Sequence, residues 1–346
     1  MANLAVVAGL VALKMPGWVS ALLYTGRRIR IDGNTLDSKA QLLCDIVALV
    51  RDIPMSEMTP EISRNQLATF AKLLGGGPTP VGAVENRTIP GPDGDIPVRL
   101  YRPANAGEGP LPILIFYHGG GWIQGDLDVH DEPCRRVANT SGGLVISIDY
   151  RLAPEHKFPA GVEDSLAAFR WVRDNAGVIG ADVNRIAVGG DSAGGNLSAI
   201  VCQQIAAAGE PGPMFQLLIY PATDSRMETK SFGMFEEGFF LTRERIDWYL
   251  ELYLNDFEAE KQDLRFSPVF AEDVSNQPQA LVITAGFDPL RDEGRNYHER
   301  LVAAGVNSKY LQYDGMIHAF INMAGTLPQG ADALTKSGEA LKEAWA

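Results

Sequence analysis

Gly189-Gly190-Asp191-Ser192-Ala193-Gly194-Gly195-Asn196 is the stretch on which the reading of this chain turns. It follows the apolar run Arg185-Ile186-Ala187-Val188 and precedes a helix-forming run from Asn196 to Ala208. That order spells strand, tight turn, helix. Gly190-x-Ser192-x-Gly194 in such a setting is the pattern that lifts a serine onto a sharp strand-to-helix turn. The reason is steric, because side chains at 190 and 194 would collide with the neighbouring strand and helix. The serine oxygen then stands at the top of a sheet. The N–H groups after it open a helix, where negative charge is stabilised. The pentapeptide alone also fits a glycine-rich turn whose serine merely caps a helix, so its surroundings have to decide.

Downstream and upstream of this turn, strands and helices alternate. Val84 to Ile89 and Ile96 to Tyr101 flank the turn-rich Pro90-Gly91-Pro92-Asp93-Gly94 and read as a hairpin. Short apolar runs suited to buried strands are Leu111–Tyr117, Leu144–Ile148, Ile186–Gly189, Leu217–Tyr220 and Ala280–Ala285, with Lys309–Tyr313 a weaker one. Helical spacing appears at Glu132–Thr140, Val162–Asn175, Asn196–Ala208, Glu293–Ala304 and Leu334–Trp345. The expected fold class is α/β, with a mostly parallel central sheet covered by helices on both faces. Residues 1–80 read as helical, notably Asp37–Arg51 and Ile62–Leu74, and Gly75 to Pro80 marks a boundary. The organisation expected is therefore an N-terminal helical segment over 1–80 and an α/β domain over 81–346. One stretch breaks the rhythm: about 224–266 is long, aromatic and expected to be largely helical. An insertion between strands lands at the loop edge of a sheet, so with the N-terminal helices it could form a cap.

A nucleophilic serine needs a base, an orienter for that base and donors for the oxyanion. The strand Leu111–Tyr117 ends in His118-Gly119-Gly120-Gly121-Trp122. Consecutive glycines let backbone N–H groups face a cavity unobstructed. Gly120 and Gly121 are the expected donors, with Gly119 shaping the turn and the N–H of Ala193 a further donor. Asp288 is the first polar residue past the strand Ala280–Ala285 and is the expected orienter. Its competitor Asp292 looks like a helix N-cap. His318, in Met316-Ile317-His318-Ala319-Phe320, lies downstream of Asp288 and is the expected base. The order Ser192, Asp288, His318 is that of the α/β-hydrolases. His118 is expected to shape the glycine loop, and His130, His156 and His298 have no fitting place in that order.

Composition narrows the alternatives. The chain has 346 residues, nearly half of them apolar, which is ample for a large core. A net charge of −13 argues against nucleic acid or an anionic membrane surface as a partner. Cys44, Cys134 and Cys202 form no disulfide framework and read as buried free thiols of a reducing compartment. No Cys/His cluster has metal-ligand spacing, so neither a metal nor a cofactor is expected. At the N-terminus, Ala2–Leu13 and Trp18–Tyr24 are apolar but are split by Lys14 and Pro16. No positive charge precedes the run, which argues against a secretory signal, and the interruption argues against a span of about 20 residues. A short helix that packs on the protein or dips into a lipid interface is expected instead. The location expected is cytoplasmic, with peripheral membrane association through residues 1–25 as the alternative.

Taken together, the motifs resemble those of the hormone-sensitive-lipase-like family of bacterial esterases, the family IV carboxylesterases. They are His118-Gly119-Gly120-Gly121, Tyr150-Arg151-Leu152-Ala153-Pro154-Glu155 with Phe158-Pro159-Ala160, Gly190-Asp191-Ser192-Ala193-Gly194-Gly195-Asn196, Asp288-Pro289-Leu290 and His318-Ala319-Phe320. Asp191 makes the chain similar to the GDSAG type. The resemblance spans roughly Val84 to the C-terminus, and Ile31-Asp32-Gly33 also looks familial. It implies an α/β-hydrolase domain with a helical cap, hydrolysis of short- to medium-chain acyl esters through an acyl-enzyme, and, as in many members, a homodimer. Receptor-like relatives bind ligands on this scaffold without turnover, but that reading expects a damaged triad, and all three members are present here. Amides, lactones, thioesters and long-chain lipids share the same chemistry.

Overall fold

The computed structural model describes residues 2–50 and 53–346, with side chains from Val6 onward. Helix α1 (Ala2–Lys14) and helix α2 (Gly17–Leu23) flank Pro16, which lacks an N–H and separates them. The 1–80 stretch is not all helical. Strands β1 (Arg30–Ile31) and β2 (Asn34–Thr35) form a two-stranded ribbon that the helical reading did not anticipate. Asp32 (φ 54°) and Gly33 (φ 79°) make its turn, and Asp-Gly is the pair that tolerates two successive left-handed residues. Helix α3 (Ser38–Val50) follows. Arg51, its expected last residue, lies outside the described residues. Helix α4 (Pro60–Leu74) opens with Pro60 in its first turn, and Thr59 Oγ1 accepts the Ile62 N–H at 3.2 Å.

Strands β3 (Ala83–Gly91) and β4 (Gly94–Arg102) make the expected hairpin. Next come β5 (Leu111–Tyr117), α5 (Asp131–Ser141), β6 (Leu144–Ile148) and α6 (Ala160–Asp174). Strand β7 (Ala181–Asp191) runs longer than its apolar centre, and helix α7 begins at Ala193 (Ala193–Ala207), directly after the serine rather than at Asn196. After β8 (Phe215–Ile219), the 224–266 insertion holds three helices: α8 (Lys230–Met234), α9 (Arg243–Tyr253) and α10 (Phe257–Glu260). Loops occupy more of it than the reading of the sequence allowed. Strand β9 (Gln279–Phe287), α11 (Arg291–Ala303), β10 (Ser308–Ile317) and α12 (Pro328–Ala344) complete the chain.

Eight strands form one sheet in the order β10-β9-β8-β7-β5-β6-β4-β3. The six from β10 to β6 pair in parallel, and β4 and β3 join antiparallel. Side chains of a strand alternate between faces, so β5 feeds two cores. Leu114 and Phe116 pack with Cys134 and Val137 of α5 and Leu334 of α12. Ile113, Ile115 and Tyr117 pack with Phe169 of α6 and Ile200 of α7. Each fully buried aliphatic or aromatic side chain contributes roughly 1.5–3 kcal/mol. Cys44, Cys134 and Cys202 are all buried and free, and burial pushes the thiols of Cys134 and Cys202 above their usual range. No helix of the described residues is long and apolar enough to cross a membrane.

Candidate active site

The serine sits on the turn between the end of β7 and the start of α7. Ser192 adopts φ 56° and ψ −117°, a strained conformation for a side-chain-bearing residue. It is held there by its N–H, which donates to Ile219 O at 2.8 Å on the neighbouring strand. A Cβ on Gly190 or Gly194 would run into the carbonyl oxygen of Tyr117, so β5 can lie this close only to glycine. Ser192 thus stands where β7, in the middle of the sheet, meets the N-terminus of α7.

The acid and the base come from adjacent strands. Ile317 of β10 lies opposite Phe287 of β9, but the previous pair in register is Tyr313 with Ala285. Four residues of β10 therefore span two of β9, a bulge that brings the next residues, His318 and Asp288, side by side. Gly286 permits it, since a Cβ there would strike the Asp314 carbonyl. His318 Nδ1 lies 2.7 Å from Asp288 Oδ2, and His318 Nε2 lies 2.9 Å from Ser192 Oγ. Asp288 is fully buried, and its Oδ1 accepts the Leu290 N–H at 2.9 Å. A carboxylate only accepts, so the imidazole presents Nδ1–H to Asp288 and a bare Nε2 to the serine hydroxyl. Asp292 sits elsewhere. It is in the first turn of α11, not at its N-cap, and pairs with Arg291 while accepting the Ser231 N–H at 2.8 Å.

The glycine loop after β5 faces the same point. The Gly119 N–H is taken by Asp191 Oδ1 at 2.8 Å. Gly120 (φ 128°) and Gly121 (φ 61°) turn the chain in conformations that favour glycine. Gly120 O accepts the N–H groups of Ile123 and Gln124 at 3.2 and 3.1 Å. The N–H groups of Gly120, Gly121 and Ala193 donate to nothing among the described residues, and all three residues border the cavity that Ser192 and His318 line.

Further groups lie behind the site; the sequence assigned a place there to His118 and Asp191 but none to Tyr220 or Glu293. Asp191 is buried beside His130, whose Nε2 is 3.1 Å from its Oδ1, and Tyr220 OH donates to its Oδ2 at 3.3 Å. Burial would push the Asp191 carboxyl up, yet His130 and the Gly119 N–H outweigh it and hold the group below the usual carboxylate range. His118 is buried and stacked on Tyr150 at 4.4 Å, and burial lowers its pKa to about 4. It is a neutral brace with Nδ1 2.9 Å from Gly119 O. Glu293 is also buried; desolvation raises its carboxyl well above the usual range, while Oε1 accepts the Thr223 N–H at 2.8 Å. The 150–160 loop has its own tether. Arg64 of α4 forks onto Glu155, and Arg151 onto the buried Asp164.

A cavity of about 950 Å³ opens over Ser192. Its walls include Val6 and Leu10 of α1, Phe70 of α4, and Ile246 and Tyr249 of α9. Both the N-terminal helices and the 224–266 insertion therefore border the site. Among the described residues no group of three or more His, Cys, Asp or Glu is placed to hold a metal ion.

A sheet of this topology, with the serine, histidine and aspartate brought together at the carboxyl edge of its parallel strands, is the architecture of the α/β-hydrolases. Residues 114–322 match the family described as the alpha/beta hydrolase fold. The chain belongs to that family, in its hormone-sensitive-lipase-like branch, and is a carboxylic ester hydrolase. It is 44% identical to the carboxylic ester hydrolase LipN of Mycobacterium tuberculosis over 90% of this chain and 85% of LipN. Carboxylesterase NlhH of the same organism is 43% identical over 81% of this chain and 86% of NlhH. Among solved structures, the hyperthermophilic esterase of Pyrobaculum calidifontis superimposes with a TM-score of 0.85 at 39% identity, covering 89% of this chain and 98% of that one. An ester hydrolase from the metagenome of Lake Arreo, complexed with a derivative of bipyridine phosphonate, gives 0.85 at 45% identity, covering 88% and 96%.

Proposed function

We propose that the chain hydrolyses short- to medium-chain acyl esters of small molecules through a Ser192-His318-Asp288 triad and an acyl-enzyme. The observation that carries this reading is the single imidazole that spans Ser192 Oγ at 2.9 Å and Asp288 Oδ2 at 2.7 Å. His318 Nε2 takes the serine proton as Oγ attacks the ester carbonyl. The oxyanion settles on the N–H groups of Gly120, Gly121 and Ala193, and each such donor is worth about 3–4 kcal/mol of barrier. Asp288 holds the ring and stabilises its cation. His318 then protonates the departing alcohol. Water, deprotonated by the same nitrogen, attacks the acyl-enzyme, and the proton returns to Ser192 as the acid leaves. None of these steps calls on a metal or cofactor.

The bounded, largely apolar cavity supports acyl groups of modest length. In the same reading residues 1–80 and about 224–266 act as a cap on an α/β-hydrolase domain over 81–346. A homodimer and a cytoplasmic location belong to it as well. The test is a series of p-nitrophenyl esters of rising chain length, with Ser192→Ala as control. Turnover that peaks at short to medium chains and vanishes in Ser192→Ala is expected. Full turnover in that variant, or a peak at long chains, would overturn the corresponding part of the reading.

A further inference from the structure

Among the described residues, exposed large apolar side chains gather over residues 7–23: Val7, Val11, Met15, Trp18, Leu22 and Leu23. Inward, α1 and α2 pack on α3. Leu13 and Tyr24 are buried, Ser20 Oγ and Ser38 Oγ share a hydrogen bond at 2.8 Å, and Lys39 Nζ reaches Leu13 O at 2.8 Å. A helix that only covers a core is polar on its other side, but this pair is apolar there too. Val7 and Val11, one helical turn apart on α1, are more than half exposed, and so are Trp18 (63%) and Leu22 (65%), one turn apart on α2. Single exposed apolar residues are ordinary, whereas four large ones on two packed helices form a patch of the kind that marks an interaction surface.

Charge says what covers it. Residues 1–31 contain Lys14, Arg27, Arg28 and Arg30 and not one Asp or Glu, in a chain whose net charge is −13. Lys14 ends α1, and Arg27 and Arg30 follow α2, all three of them exposed. Large apolar side chains flanked by cations, with an exposed tryptophan among them, suit the boundary between acyl chains and anionic headgroups. A second copy seated on this same face would set cation against cation across a two-fold axis. We propose that the outer face of α1 and α2 docks the enzyme on an anionic phospholipid surface. Docked so, the enzyme faces lipid with the helix whose inner side, through Val6 and Leu10, walls the cavity. The proposal does not depend on which esters are cleaved.

The experiment is co-sedimentation of the full-length protein with vesicles of phosphatidylcholine alone or with phosphatidylglycerol, at low and high salt, alongside Trp18→Ser/Leu22→Gln and Lys14→Gln/Arg27→Gln/Arg30→Gln. The expected result is binding to the phosphatidylglycerol vesicles that weakens about tenfold in high salt and about tenfold in each variant. Turnover of dissolved p-nitrophenyl butyrate should be unchanged in both variants, which shows that they fold and separates this test from that of the esterase reading. Absence of vesicle binding by the unmodified protein would overturn the proposal, as would equal binding by all three proteins. So would a dimer that dissociates in Trp18→Ser/Leu22→Gln without any lipid binding, since a second copy would then own the patch.

Discussion

Asp191 Oδ1 accepts the N–H of Gly119 at 2.8 Å, so the residue before the serine holds the loop that carries the proposed oxyanion donors. Both ends of the oxyanion site hang on one buried carboxylate, which also receives His130 and Tyr220. Asp191→Ala would leave three buried donors without an acceptor. Stability should fall by about 3 kcal/mol in urea unfolding, and kcat should fall about 100-fold as the loop loses register. Asp191→Asn keeps one acceptor oxygen and should lose less of each.

Asp288 and Asp292 are four residues apart, yet only Asp288 reaches His318. Asp288→Asn should lower kcat about 10⁴-fold by favouring the wrong imidazole tautomer. Asp292→Asn gives up an ion pair with the buried Arg291, which keeps Asp32 as a partner, so it should keep kcat within about threefold of the parent while losing about 1–3 kcal/mol of stability. Steady-state rates on p-nitrophenyl butyrate decide between them.

At Gly121, φ is 61° and a Cβ would enter the ring of Tyr249. Gly121→Ala should therefore displace its N–H and lower kcat by about 100-fold, with KM changed far less, because the donor acts on the oxyanion rather than on the bound ester. A variant with unchanged kcat and raised KM would assign Gly121 to substrate binding instead.

Glu293 offers a pH test. Burial raises its carboxyl well above the usual range in the folded protein, while in the unfolded chain it ionises near 4.3. The folded state is thus favoured relative to the unfolded one at low pH, and that advantage is lost as pH rises from about 4.3 toward the raised folded value. Glu293→Gln keeps an oxygen for the Thr223 N–H and removes the titration. Its Tm relative to the parent should be higher at pH 8 than at pH 5, where about 1 kcal/mol corresponds to roughly 2 °C. An identical difference at both pH values would mean that Glu293 is ionised in the fold.

Much of the fold was legible because its determinants are local. Leu111–Tyr117 and Leu144–Ile148 are continuous apolar runs and became strands with those same bounds. Two-residue strands carry no periodicity, so the ribbon at Asp32-Gly33 shows in the sequence only as an Asp-Gly pair. Strands β7 and β10 extend past the apolar runs that mark them. Ala181 and Ile317 lie beyond the apolar centres, and only pairing with Leu111 and Phe287 makes them strand. Asp191 was visible as a letter of the serine motif, but nothing in the chain before it foretold that His130 would lie against it.

What the sequence determined by itself is the chemistry within a few residues: where glycine must stand, where a strand gives way to a helix, and the order in which Ser192, Asp288 and His318 follow one another. Steric exclusion and hydrophobic periodicity act over that range, and they act in any chain that contains those letters. Only the tertiary structure decided the slip in register that sets His318 beside Asp288, the burial that tunes Asp191 and Glu293, and the use of Val6 and Leu10 to wall a cavity that also reaches Ser192. Those are contacts between residues far apart in the chain, and their energies exist only once strand pairing and packing have excluded water from the spaces between them.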